Sequence, residues 1–99
     1  MGKTLHLYDV IKRPVITEKS TELAERYNHY VFEVDMRANK VQIADAVVQI
    51  FDVDVLKVRT MVMPAKRGQR GRNSYIRRKS WKKAVVTVPA GQRIPLFEV

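Results

Sequence analysis

The cations of this 99-residue chain are concentrated in residues 66–83. This segment contains nine lysines and arginines and no aspartate or glutamate, whereas residues 1–65 contain nine basic and nine acidic side chains. The net charge of +9 therefore belongs to one segment. Nine like charges repel one another unless a counter-charge lies against them, so the segment predicts binding to a polyanion. Its cations are Lys66, Arg67, Arg70, Arg72, Arg77, Arg78, Lys79, Lys82 and Lys83.

Other residues of the segment favour a nucleic acid as that polyanion. Arginine makes forked hydrogen bonds to phosphate. Gly68 and Gly71 permit positive φ and a close approach of the backbone to a ligand. Tyr75 and Trp81 lie among the cations and could stack on unpaired bases. The alternatives for such a segment are a solvated basic loop and a localisation signal, and the density of unopposed charge favours nucleic acid over both.

The chain contains no set of residues that predicts an enzyme or a metal site. His6 and His29 are its only histidines, and neither has a companion at ligand spacing. The absence of cysteine excludes a disulfide framework and a cysteine-based metal site. We therefore expect no catalysis, no cofactor and no metal.

Length and composition predict one cytosolic domain. A chain of 99 residues has room for one modest core, and 45% apolar residues is too high for a wholly disordered chain. No stretch approaches the roughly 20 apolar residues of a membrane span. The N-terminal residues lack the apolar run of a signal peptide. We expect a single nucleic-acid-binding domain over residues 1–99, with an extended loop over residues 64–80.

Capping residues and apolar periodicity predict two helices. Thr17 is typical of an N-cap and predicts a helix over about residues 18–27. Asn39 and Gln42 form a capping box for a second helix over about residues 40–51. The expected inward faces are Leu23, Ala24 and Tyr27 in the first helix, and Ile43, Ala46, Val47, Ile50 and Phe51 in the second, with Val41, Ala44 and Val48 widening the apolar arc.

Alternation of apolar and polar residues predicts three strands, over residues 30–34, 55–63 and 81–88. In the second strand we expect Leu56, Val58, Thr60 and Val62 on one face and Lys57, Arg59, Met61 and Met63 on the other. In the third strand we expect Ala84, Val86 and Val88 to face inward. In the first strand we expect Tyr30, Phe32 and Val34 on one face and Val31, Glu33 and Asp35 on the other. Residues 1–16 are expected to be irregular, and Pro95 argues against regular structure in the tail.

This order of elements predicts an α+β fold. We expect a small antiparallel sheet of three to four strands, with helices packed on one face and a long basic hairpin loop. A connection of about 17 residues is far longer than the usual 2–5 of a hairpin. If the strands continue into the loop as an arm, it would project roughly 25 Å.

An acidic stripe follows the outward face of the first helix at Glu18, Glu22 and Glu25. Glu18 interacts favourably with the positive N-terminal end of that helix, and the others keep the face soluble. The alternative is a docking face for basic partners. From the residues alone we favour the first interpretation.

Four motifs resemble the ribosomal protein L23 family of the large ribosomal subunit. They are I-K-R-P-V-I-T-E-K-S (residues 11–20), N-K-V-Q-I-A-D-A-V-V-Q-I-F-D-V-D-V (39–55), G-Q-R-G-R (68–72) and W-K-K-A-V-V-T-V (81–88). The resemblance covers almost the whole chain in the family's order. It implies a structural, non-enzymatic protein that is bound to large-subunit ribosomal RNA beside the peptide exit, with the basic loop along the tunnel wall.

The resemblance also implies partners and site residues. Trigger factor is expected to dock at the start of the first helix, where Glu18 matches the family's docking acid, while Glu22 and Glu25 receive no role. The signal recognition particle, the protein-conducting channel and neighbouring large-subunit proteins are expected at the same exit. The location is cytoplasmic, on the ribosome, without membrane insertion. The expected RNA contacts are Lys12, Arg13, Lys40, Gly68, Gly71, Tyr75, Trp81 and the nine cations of residues 66–83.

Two other functions remain as alternatives. A free-standing binder of single-stranded RNA or DNA would use an aromatic trio on its sheet, whereas Tyr30 and Phe32 are expected to face inward. A small enzyme of ferredoxin-like fold, such as an acylphosphatase, would need an Arg–Asn pair on an anion-binding loop, and the sequence contains none that we can identify.

Overall fold

Four strands form an antiparallel sheet in the computed structural model, which describes residues 7–70 and 73–94. In chain order the strands are β1 (Ile11–Pro14), β2 (His29–Val34), β3 (Lys57–Met63), β4 (Lys66–Arg70), β5 (Asn73–Arg78) and β6 (Trp81–Thr87). The helices are α1 (Leu7–Val10), α2 (Glu18–Tyr27) and α3 (Lys40–Phe51). The main sheet has the order β1-β2-β6-β3, and β4 pairs with β5 in a separate two-stranded sheet. The predicted α+β class and its antiparallel sheet are confirmed.

Residues 7–14 are regular, so the prediction of an irregular N-terminal stretch is wrong for them. After the single turn of α1, β1 pairs with β2, placing Ile11 opposite Val34 and Pro14 opposite Phe32. Elements of four residues carry too little periodicity to be recognised: α1 packs mainly against α3, and β1 is stabilised by its pairing with β2. Pro14 is compatible with this strand because β1 lies at the edge of the sheet.

α2 and α3 span the residues that were predicted for them. The Thr17 side chain accepts a hydrogen bond from the Ser20 backbone N–H at 3.1 Å, and the Ser20 side chain accepts one from the Thr17 N–H at 2.7 Å. The side chain of Asn39 likewise accepts from the Gln42 N–H at 2.8 Å, and that of Gln42 accepts from the Asn39 N–H at 3.0 Å. Two reciprocal capping boxes therefore fix both helix starts.

The core lies between α3 and the sheet. The predicted inward residues Ala84, Val86 and Val88 are buried, and the ring of Phe32 stacks on that of Phe51 at 5.5 Å between centroids. The buried apolar cluster comprises Val10, Ala24, Tyr30, Phe32, Val34, Ala38, Ile43, Ala46, Val47, Val53, Ala84, Val86, Val88 and Ile94.

Parts of the predicted apolar faces are exposed instead. Tyr27 is exposed at the end of α2, and the wider arc of α3 fails because Val41 is 77% exposed and Val48 is also exposed. In the segment of the second predicted strand, Leu56 is 67% exposed and Val62 is exposed as well. A four-stranded sheet is narrow, and β3 lies at its edge, so residues at these margins have neighbours on one side only.

α2 packs against β2 and buries a residue that was expected to face outward. Val31 is only 2% exposed, and it lines one small cavity together with Ser20 and Leu23 of α2. Ser20 is buried too, as is Ala24. The inward face of α2 therefore consists of Ser20, Leu23 and Ala24, without Tyr27.

Replacing Asn39 by alanine should remove the cap of α3. The variant leaves a backbone N–H of the first turn without its acceptor, so we expect the free energy of unfolding to fall by about 1 kcal/mol. Urea unfolding at constant m-value measures this loss as a lower midpoint. Gln49→Ala, at an exposed position inside the same helix, is the matched control and should change the stability by no more than about 0.5 kcal/mol. Equal midpoints for the two variants would contradict the role of the cap.

Candidate nucleic-acid interface

β4 and β5 form a two-stranded arm (residues 64–80) that continues the strands β3 and β6. β3 pairs with β6 along its whole length, and the last pair places Met63 opposite Trp81, so both ends of the arm leave the sheet together. Strands of five and six residues at about 3.4 Å per residue extend roughly 17–20 Å. The radius of gyration is 15.3 Å, compared with about 13 Å for a compact domain of this size.

The pairing of the arm contains one irregularity near its base. Lys66 pairs with Arg78 and Arg67 pairs with Ile76, which leaves Arg77 as an extra residue on β5. A bulge of this kind increases the local twist and bends the strand that carries it. The predicted residues that lie outside the described part of the chain are Gly71 and Arg72.

The described cations at the base of the arm face solvent. The side chains of Lys66 and Lys79 are exposed. In the backbone register of the arm, Gly68 is the partner of Tyr75. The register also makes Lys66 of β4 and Arg78 of β5 strand partners, although the sequence separates them by twelve positions.

Lys82 has a structural partner inside the domain. It is half-buried, and its ammonium group donates a hydrogen bond to the backbone carbonyl of Ala38, just before α3. The neighbouring Lys83 is half-buried on the opposite face of β6. The two adjacent lysines therefore have different surroundings, although they have the same charge and are neighbours in the sequence.

Three predicted contacts lie on the domain outside the arm. Lys12 and Lys40 are exposed, Lys40 at the first position of α3. The Arg13 Nε lies 3.0 Å from Glu33 Oε1, while 62% of the arginine side chain remains exposed. Arg13 therefore has an intramolecular partner that competes with any phosphate, and the structure shows no such ion pair for Lys12 or Lys40 within residues 7–70 and 73–94.

Trp81 lies at the junction of the arm and the sheet. It is half-buried and lines a cavity of about 360 Å³. A tryptophan ring beside an arginine can hold an unpaired base by stacking. The other lining residues are Arg13, Pro14, Val15, Ile16 and Thr17.

Arg37, near the start of α3, is neutralised by Asp35. Its backbone N–H donates to Asp35 Oδ1 at 2.8 Å and its Nε donates to the same oxygen at 3.1 Å. The side-chain hydrogen bond is the largest cause that lowers the pKa of Asp35. Because the pKa is lowered on folding, this contribution to stability is present at neutral pH and is lost as the pH falls through the lowered pKa.

The acidic residues of α2 line a shallow depression on the domain. Glu18, Glu22 and Glu25 are exposed, as predicted, but Glu22 Oε1 is paired with Arg26 Nη2 at 3.3 Å. Ile16, which the sequence analysis did not single out, is 53% exposed. The sequence signal that could have identified it is an isoleucine immediately before the N-cap Thr17. The lining residues are Ile16, Thr17, Glu18, Thr21, Glu22 and Glu25.

Neither a metal centre nor a membrane span is found in the described part of the chain. Its histidines, aspartates and glutamates form no group that could hold a metal ion. None of its helices is sufficiently long and apolar to cross a bilayer.

Comparison with known proteins identifies the family. Residues 9–96 match the family model described as Ribosomal protein L23. The chain is 48% identical over 94 residues to the large ribosomal subunit protein uL23 of Desulfatibacillum aliphaticivorans, a match that covers 95% of this chain and 98% of the relative. The chain belongs to the ribosomal protein L23 family. The uL23 protein of Roseiflexus sp. (strain RS-1) is 50% identical over 91 residues, covering 92% of this chain and 95% of the relative.

Membership of the L23 family confirms the resemblance that the four motifs carried. The protein is a structural, non-enzymatic constituent of the large ribosomal subunit. It is cytoplasmic as part of the ribosome. The acylphosphatase-like enzyme and the free-standing nucleic-acid binder are thereby excluded.

Replacing Lys82 by methionine should destabilise this L23 protein. The Ala38 carbonyl would lose a charged donor in a half-buried position, so we expect a fall of about 1–3 kcal/mol in the free energy of unfolding. Urea denaturation followed by far-UV circular dichroism measures it. Lys79→Met removes the same charge from an exposed position and serves as the control. A similar loss in both variants would mean that charge, and not this hydrogen bond, sets the stability.

Proposed function

We propose that this L23 protein binds large-subunit ribosomal RNA at the peptide exit tunnel, with its arm lying along the RNA wall. The observation that carries the proposal is the pairing of β4 with β5 inside the most basic segment of the chain. An isolated two-stranded hairpin is only marginally stable in water. A hairpin that carries seven positive charges and no carboxylate gains stability when a polyanion lies against it.

The arm and its flanks supply most of the proposed RNA contacts. Lys83 and the exposed Lys12 and Lys40 extend the contact onto the domain, whereas Arg13 and Lys82 contribute less because Glu33 and Ala38 already engage them. Gly68 and Gly71 allow close approach to the RNA, and Tyr75 and Trp81 stack on bases. The phosphate-binding residues of the arm are Lys66, Arg67, Arg70, Arg72, Arg77, Arg78 and Lys79. In this proposal residues 1–99 act as one RNA-binding domain with an extended loop over residues 64–80.

Salt dependence tests the proposed RNA contact. Six neutralised phosphates give a log–log slope of affinity against salt of about −4 to −5. In the variant Arg67→Gln/Arg70→Gln, the magnitude of the slope should fall by about 2, roughly one for each lost cation. Fluorescence anisotropy with a labelled large-subunit RNA fragment, titrated at several salt concentrations, measures both slopes.

The matched control is Lys19→Gln/Arg26→Gln, which removes two exposed cations from α2. Its slope should stay close to that of the unmodified protein. A slope near zero for the unmodified protein would contradict RNA binding through phosphates. An equal fall in both double variants would contradict the role of the arm.

We further propose that the start of α2 is a docking site for trigger factor, and that the signal recognition particle uses the same neighbourhood. The support is the exposed position of Glu18 at the helix N-terminus, beside the exposed apolar side chain of Ile16. A carboxylate next to an apolar patch suits a partner that presents a basic side chain among apolar ones. Other large-subunit proteins at the exit are its expected neighbours in the ribosome.

Reversal of one charge tests the docking site. In ribosomes that carry Glu18→Lys, we expect trigger-factor affinity to fall on the order of tenfold, because a like charge replaces the attractive one at the contact. Co-sedimentation with ribosomes measures recruitment, and the signal recognition particle can be assayed in parallel. Glu25→Lys makes the same charge change in the last turns of α2 and is the matched control. Incorporation of both variants into large subunits should be normal, and unchanged recruitment by Glu18→Lys ribosomes would remove the proposal.

A further inference from the structure

The side of β3 and β6 that faces away from α3 forms an open face, and two of its cations, Lys57 and Arg59, are not among the RNA contacts proposed so far. Val58 and Val86 are opposite each other and belong to the core side. The residues that alternate with them therefore point away from the core. These define the open face, which consists of Lys57, Arg59, Met61 and Met63 of β3 and Trp81, Lys83, Val85 and Thr87 of β6.

The open face is accessible to a partner. α2 packs against β2 on this side of the sheet, where its Ser20 and Leu23 line a cavity with Val31 and the half-buried Lys83. The far edge strand β3 lies beyond this contact. Lys57 and Arg59 are exposed, and Met61 is exposed among the large apolar side chains. Neither cation forms a salt bridge within residues 7–70 and 73–94. The face thus combines solvent-exposed cations with exposed apolar surface.

The charge of the open face has one sign. Its eight residues include three cations and no aspartate or glutamate. On the neighbouring strand β2, Glu33 is the register partner of Lys83, and its carboxylate is already paired with Arg13. A surface of this composition attracts anionic groups, and it is complementary to phosphate.

The open face is also continuous with the arm. Lys57 and Arg59 are two residues apart, about 7 Å along the strand. The same strand side continues through Met61 and Met63, and Met63 is paired with Trp81 where the arm begins. α3 packs against β3 on the core side of the sheet, so an RNA that follows the arm to its base meets the open face next.

We propose that the open face is the surface on which the domain itself holds RNA. In this arrangement Arg59 and Lys57 bind phosphates, and Trp81 and Met63 pack against a base or sugar at the base of the arm. The inference depends on the proposed RNA binding and extends it from the arm to a defined face and two further cations. Arginine at position 59 also offers the forked geometry that a phosphate accepts from two donors.

Trp81 gives the experiment a direct signal, because it is the only tryptophan in the chain. The full-length protein is titrated with transcribed large-subunit ribosomal RNA, and the tryptophan emission is followed. The emission should change on binding. The variant Lys57→Gln/Arg59→Gln should bind about tenfold more weakly near 0.1 M salt, and its salt slope should be smaller in magnitude by about 2. Arg59→Lys alone should retain most of the affinity, and urea unfolding checks that each variant is folded.

The control again is Lys19→Gln/Arg26→Gln, which removes the same charge from α2. If the unmodified protein binds the RNA with a steep slope and Lys57→Gln/Arg59→Gln binds equally well, the open face is not the RNA surface, while the proposed function stands. Equal weakening of both double variants also overturns the inference, because only net charge would then matter. If the unmodified protein prefers large-subunit RNA no more than an unrelated RNA, the proposed function fails and the open-face inference fails with it.

Discussion

Repulsion among nine cations without a carboxylate is the constraint on which the rest of this structure depends. Seven of them lie on the arm, which is too polar to form a core and whose two strands pair only with each other. The domain therefore has to hold both ends of the arm at a fixed separation, and it does so through the β3–β6 ladder that ends at Met63 and Trp81. The buried cluster between α3 and the sheet anchors that ladder, since Ala84 and Val86 of β6 belong to it.

The structure separates cations that already bind a protein oxygen from cations that have no carboxylate partner in the described residues. Lys82 holds the carbonyl before α3, Arg37 neutralises Asp35, and Arg13 is paired with Glu33. Lys57 and Arg59 have no carboxylate partner in the described part of the chain. These five cations have the same formal charge, but they are not equally available to an RNA backbone. A cation that already donates to a protein oxygen must give up that bond before it binds phosphate.

The sequence predicts those elements of the fold whose signals are local. α2 and α3 could be bounded to the residue because capping side chains flank a clear apolar period, and β6 could be predicted because a central strand alternates along its length. β1 was missed since its stability comes from pairing with β2. Val41 and Leu56 were misjudged because the width of an apolar face depends on what packs beside it. In the site, the basic segment is evident from composition, whereas the different surroundings of Lys82 and Lys83 depend on which side of β6 faces the core.

The same separation of charge constrains how the domain can lie on RNA. α2 packs against β2 on the same side of the sheet as the open face of β6 and β3, and its acidic stripe faces solvent. The arm extends from the ends of β3 and β6. Phosphate is attracted by the open face and the arm and repelled by the acidic stripe, and both effects act mainly within about 10 Å at moderate salt. Binding through the arm and the open face therefore favours an orientation in which the RNA backbone lies over β3, β6 and the arm and does not extend onto the acidic stripe of α2. An accessible docking helix is then a consequence of how the protein binds RNA, and it requires no separate device to keep Glu18 exposed.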